Sequence, residues 1–127
     1  MTEQTTTTRV ESLDTNLMPW ATMRIEELRH DLPVKVLVED PDTGVTVMKV
    51  VYEAGFTNTW HTHHCAHGMY VLDGVLNTHT GSYGPGSFVW FPEGEVMFHG
   101  ATPDNSVTVL FITNKAFDIH FEESPPT

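Results

Sequence analysis

From residue 34 onward the chain runs in apolar-rich stretches of five to eight residues, each closed by a turn signal. This spacing predicts strands at 34–39, 45–52, 57–63, 67–73, 75–80, 87–91, 95–100, 106–113 and 117–121. The breaks fall at Asp42-Thr43-Gly44, Gly55, Asp73-Gly74, Gly81 through Gly84-Pro85-Gly86, Pro92-Glu93-Gly94 and Pro103-Asp104-Asn105. Asp-Gly between apolar runs marks a hairpin, because glycine tolerates the positive φ that such turns require. Many short strands without a long helix argue for an all-β sandwich or small barrel, not a parallel α/β sheet. Residues 17–31 are ambiguous: MRIEELRHD carries a weak helical period, enough for one or two turns.

The ends differ in character. Residues 1–12 are polar and threonine-rich and read as a loosely attached arm, and residues 122–127, with Pro125 and Pro126, read as a tail. One domain at 13–121 remains, which suits a chain of 127 residues. Seventeen acidic against six basic residues give a net charge of −11, which disfavours nucleic acid and anionic lipid as partners. The single cysteine, Cys65, allows no internal disulfide, and no apolar run reaches the length of a membrane span, so the expected location is the cytoplasm. The apolar segment from Met18 to Leu28 offers a face for a neighbour, and a homodimer is the expected assembly.

Candidate chemistry is concentrated in histidine. Four of the eight fall within seven residues, at His61, His63, His64 and His67, and another stands at His99. Neutral imidazole is a common metal ligand. Residues two apart share a strand face, so His61 and His63 point one way and Thr62 the other. His64 alternates away and is expected in solvent. His30, His79 and His120 lack partner spacing and read as surface or packing residues. Cys65 falls in a tight turn and reads as an inert thiol.

The run GFTNTWHTHHCAHGMYVLDG resembles the first motif of the cupin superfamily, with Gly55, His61, His63 and Gly74 in register and His67 where the family has glutamate. Gly86, Pro92 and Gly94 match the second motif, which then departs: Met97 takes the histidine place and His99 follows two residues later. A shift of two keeps the side chain on the same strand face. Residues 32–121 also look similar to the branch containing ChrR-like domains and 2,4′-dihydroxyacetophenone dioxygenase, through GSFVWFPEGE and Leu110-Phe111-Ile112. The histidine-only set and His99-Gly100 are similar to the acetylacetone-cleaving dioxygenase.

The resemblance implies a single cupin barrel (a double-stranded β-helix, or jelly roll) with a short N-terminal extension. It implies His61, His63 and His99 as metal ligands. His67 is either a fourth ligand or an uncoordinated histidine of the pocket. Nitrogen ligation favours Fe(II), with Zn, Ni, Cu or Mn as alternatives, over Mg or Ca. Met48, Val50, Met69, Val71, Met97, Val109 and Phe111 are expected to line an apolar pocket. The absence of Lys and Arg between Val50 and Asn114 argues against phosphorylated substrates. Glu95 shares a face with Met97 and His99, so it either serves catalysis by orienting an imidazole or holding a proton, or is a solvated turn residue.

The implied activity is a non-haem Fe(II) dioxygenase that uses O2 to cleave a C–C bond of a small β-diketone or hydroxyketone. The alternatives are an isomerase or lyase that uses the ion as a Lewis acid, and a sensing module without catalysis.

Overall fold

The structure is a computed structural model that describes residues 10–122. Most of the expected arm and tail lies outside the described residues. Among the described residues eleven strands, all paired antiparallel, form two sheets. The first sheet contains β1 (Ala21–Ile25), β2 (His30–Glu39), β3 (Thr46–Tyr52), β5 (His67–Asp73), β8 (Phe88–Phe91) and β10 (Val107–Thr113), in the order β1-β2-β3-β10-β5-β8. The second contains β4 (Thr57–Thr62), β6 (Leu76–Thr78), β7 (Gly81–Tyr83), β9 (Met97–Gly100) and β11 (His120–Phe121), in the order β11-β4-β9-β6-β7. Among the described residues no helix is long and apolar enough to cross a membrane.

Burial follows the two-residue period that strands impose. Along β10, Val107, Val109, Phe111 and Thr113 are buried while Thr108, Leu110 and Ile112 are half-exposed. Met48, Val50 and Tyr52 of β3 and Met69 and Val71 of β5 join them in one core cluster. The inner face of the five-stranded sheet differs. It contributes Leu76 and Met97, but also the buried polar residues Asn58, His61, Thr78 and His99. The interior is therefore apolar on one wall and histidine-bearing on the other.

The ambiguous segment 17–31 resolves into a strand followed by one turn. Ala21 to Ile25 pairs in unbroken register with Val34 back to His30, and Glu26–Leu28 form a single 3-10 turn that ends at Arg29 with φ 50°. The reason lies in Met23 and Ile25, which alternate with Thr22 and Arg24 and pack on the core of the same chain. The short strand β7, in a stretch read as turn, pairs with β6 from Leu76↔Tyr83 to Thr78↔Gly81. Ahead of β1, the Nζ atoms of Lys35 and Lys49 reach the backbone oxygen and the hydroxyl of Thr15 at 2.6 and 2.8 Å, and the Lys35 ammonium lies 4.4 Å from the Trp20 ring centroid.

Gly100 is the tightest point beside the histidine wall. A Cβ there would collide with the Phe56 carbonyl oxygen and come within 2.6 Å of Thr57 Cα, both backbone atoms of the neighbouring strand region. Gly100→Ala is expected to lower stability by about 1–3 kcal/mol through this overpacking. Urea unfolding monitored by tryptophan fluorescence measures it, and an unchanged midpoint would contradict the close approach.

Candidate metal centre

His61 lies near the end of β4, His63 just beyond it, His67 at the start of β5 and His99 in β9. All four are at most 1% exposed. Donor nitrogens of His61, His63 and His99 lie within 4.8 Å of one another. His67 reaches the group from the opposite sheet, with its ring centroid 4.7 Å from that of His63 and 6.0 Å from that of His99.

The local backbone explains the aim of each ring. Between Asn58 and His61 the register of β4 against β9 shifts, placing an extra residue in β4. Such a bulge re-aims side chains and frees a backbone group. Here the Thr59 carbonyl accepts a hydrogen bond from His61 Nδ1 at 2.6 Å. His63 Nδ1 donates in the same way to the backbone carbonyl of Asp118, a residue in the run that leads into β11. A carbonyl only accepts, so both rings carry their proton on Nδ1 and leave a lone pair on Nε2. The His61 Nε2 lone pair faces His99 Nε2 at 3.1 Å. That of His63, together with both nitrogens of His67 and Nδ1 of His99, is buried without a hydrogen-bond partner.

An unpartnered buried polar atom costs about 1–3 kcal/mol. A cluster of converging lone pairs is relieved by a single divalent cation, so these residues fit a metal ion. The packing keeps them in place. His67 is sandwiched between Phe91 and Phe111, at centroid separations of 4.8 and 4.6 Å and an interplanar angle of 17° on each side. Trp60 and Phe98, on the outer side of the ligand strands, meet edge to face at 4.9 Å.

Burial also sets protonation. Desolvation depresses the pKa of His61 to about 4, in spite of the Thr59 hydrogen bond. It lowers His63 likewise, and takes His67 and His99 lower again with help from the neighbouring imidazoles. Rings that stay neutral at ordinary pH are competent ligands.

The other candidate residues fall elsewhere. Glu95 is exposed, and its carboxylate lies 3.6 Å from His79 Nε2. The inward orientation shared with Met97 and His99 is not found, because β9 begins only at Met97 and residue 95 still belongs to the preceding turn. The seven apolar residues expected to line a pocket are all buried in one core cluster. A cavity of about 270 Å³ opens beside His79, Trp90 and Glu95, and Phe91 stands between it and His67. His64 is exposed and pairs with Asp118 at 2.7 Å, while Cys65 is buried, with its thiol pKa raised by desolvation.

Three functional neighbours escaped the sequence reading. The Asp118 carbonyl orients His63, and nothing in the sequence signals a main-chain acceptor 55 residues away. Asn58 stands opposite His99 in the register and buries an unpartnered Oδ1. Tyr52 is buried with its ring centroid 5.4 Å from that of His99, and desolvation raises its pKa. For Asn58 the available signal was an amide inside an otherwise β-prone strand.

A family model described as the ChrR Cupin-like domain matches residues 9–118. The chain therefore belongs to this family. Among curated proteins it is similar to an (R)-mandelonitrile lyase of Granulicella tundricola, with 32% identity over 90 residues that cover 62% of this chain and 65% of the relative. The chain thus spans less than two thirds of that relative's length. Among solved structures it is similar to a cupin-like protein of Thermotoga maritima, with 25% identity, a TM-score of 0.64 and coverage of 72% and 76% of the two chains. The polyketide cyclase RemF of Streptomyces resistomycificus shares the fold at a TM-score of 0.72 and 13% identity, over 92% of this chain and 88% of its own.

Two outcomes follow from the geometry. His61→Ala and His99→Ala are each expected to abolish retention of an interior divalent ion, read by metal analysis after gel filtration. Retention at the wild-type level would remove these rings from the site. In metal-free protein the unfolded chain binds protons at His61 near pH 6.5 and the folded chain only near pH 4. Folding therefore expels protons between those values, and stability falls as pH drops through that window. The urea midpoint is expected to decline from pH 6.5 towards pH 4, and a flat profile would contradict the burial of neutral rings.

Proposed function

We propose that this ChrR cupin-like protein is a metal-dependent lyase that cleaves a C–C bond beside an oxygenated carbon of a small molecule without consuming oxidant. The observation that carries this reading is the set of neutral, buried imidazoles, three of which bring donor nitrogens within 4.8 Å of one another. Similarity to a protein described as a mandelonitrile lyase supports the choice of reaction class.

His61, His63 and His99 would hold the ion, with His67 as fourth donor from the opposite sheet. A divalent ion supplies Lewis-acid stabilisation of negative charge on the reacting molecule. The chain supplies the rest. Thr59 and Asp118 lock the ring orientations through their carbonyls. Phe91 and Phe111 hold His67 and keep water from its faces. With neutral ligands a bound ion would keep its full charge, which would favour a substrate that binds as an anion. In the reaction a cyanohydrin-type substrate loses its hydroxyl proton, the C–C bond breaks with its electron pair departing on carbon, and the oxygenated carbon becomes a carbonyl. The departing cyanide takes up the proton given by the hydroxyl, and the products are the carbonyl compound and hydrogen cyanide.

A second reading is favoured by the same uncompensated charge. An Fe(II)-dependent dioxygenase acting with O2 on a β-diketone or hydroxyketone also needs to bind an enolate on nitrogen ligands. The two readings separate in one assay. Protein reconstituted with Mn(II), Zn(II) or Fe(II) is mixed with mandelonitrile, a β-diketone and a hydroxyacetophenone, and aldehyde release and oxygen uptake are followed together. The lyase predicts benzaldehyde release under argon. Oxygen uptake on the ketones with Fe(II) alone, and no aldehyde release with any metal, would overturn it in favour of the dioxygenase.

A further inference from the structure

A second donor cluster lies on the surface, one backbone carbonyl away from His63. Asp118 presents a single carboxylate oxygen, Oδ2, to two imidazoles at once: His64 Nδ1 at 2.7 Å and His120 Nε2 at 2.8 Å. The other oxygen, Oδ1, accepts from the backbone N–H of His64 at 2.7 Å, which fixes the orientation of the carboxylate. The two rings lie 4.5 Å apart between centroids. Donor atoms of His64, Asp118 and His120 all fall within 4.8 Å of one another.

We propose that His64, Asp118 and His120 bind a second divalent transition ion of borderline softness, of the Zn(II) class. Two imidazole nitrogens and one carboxylate oxygen are the donor set that such ions prefer over Mg or Ca. At ligand distances of about 2.0–2.1 Å, adjacent donors around such an ion stand roughly 3 Å apart, close to the separations found here. In the metal-free protein both rings must direct N–H groups at one oxygen. One cation replaces both of these protons and uses the same three atoms. The side chains are 74%, 32% and 51% exposed in the order His64, Asp118 and His120, so an ion reaches them from solvent and water completes the coordination. A net charge of −11 raises the local cation concentration.

The donors come from two distant parts of the chain. His64 follows β4, and His120 pairs with Thr62 as the first residue of β11. An ion here would fasten the C-terminal strand to the end of β4. Because the Asp118 carbonyl also holds His63, the same fastening would steady one ligand of the interior group.

The test is titration of the metal-stripped full chain with Zn(II) alone, by calorimetry with parallel metal analysis, on four proteins. Wild type is expected to bind two equivalents. His64→Ala/His120→Ala is expected to bind one, and His61→Ala/His63→Ala to retain one. Asp118→Asn keeps the carbonyl that holds His63 but loses the charge, and is expected to weaken one equivalent at least tenfold. Circular dichroism establishes that each variant is folded. The proposal is overturned if the equivalents bound by wild type all survive in folded His64→Ala/His120→Ala. If wild type binds one equivalent, lost in that variant and kept in His61→Ala/His63→Ala, the surface site stands and the interior site fails.

Discussion

The structure turns on the burial of four neutral imidazoles between two sheets. Burial strips water from eight ring nitrogens, and the protein returns hydrogen bonds to only some of them. The two main-chain carbonyls that accept from Nδ1 of His61 and His63 leave the Nε2 lone pairs free, and donor nitrogens of both rings lie within 4.8 Å of each other and of His99. Nε2 of His63, both nitrogens of His67 and Nδ1 of His99 have no hydrogen-bond partner among the described residues. A core assembled only for stability would fill this space with aliphatic side chains, which need no partners. The histidine wall is the feature that the rest of the barrel must accommodate.

That accommodation divides between the two sheets. The six-stranded sheet supplies the apolar face, with the alternation of β10 and the matching residues of β3 and β5. The five-stranded sheet carries the donors and bends its ladder to aim them, through the bulge between Asn58 and His61. His67 is the exception, since it comes from the apolar sheet and is held by aromatic rings on both faces. Stacking a neutral imidazole between phenyl rings fixes its plane while both nitrogens remain free. The close approach at Gly100 serves the same end, bringing β9 and His99 near the β4 region.

Much of this was legible in the chain. The strand runs from residue 34 onward, the shared face of His61 and His63 and the inward direction of Met97 and His99 follow from a period of two, which backbone geometry enforces locally. The family motifs supplied the expectation that these stretches converge. The strand β1 was hidden because Met23 and Ile25 alternate over too short a span, beside the helix-compatible run EEL. Glu95 was misdirected because the same period was extended past the start of β9, into a turn where it does not hold.

The sequence by itself therefore determined the strand pattern, the choice of imidazole as donor and the faces on which those donors lie, since each depends on neighbours within a few residues. Tertiary structure alone decided the tautomer of His63, through the carbonyl of Asp118, and which exposed histidines meet around one carboxylate. Those outcomes depend on main-chain atoms, and on segments more than 50 residues apart in the chain. A main-chain carbonyl is present at every residue, so no residue type marks the one that will serve. Only the pairing that brings the run before β11 alongside the end of β4 selects it.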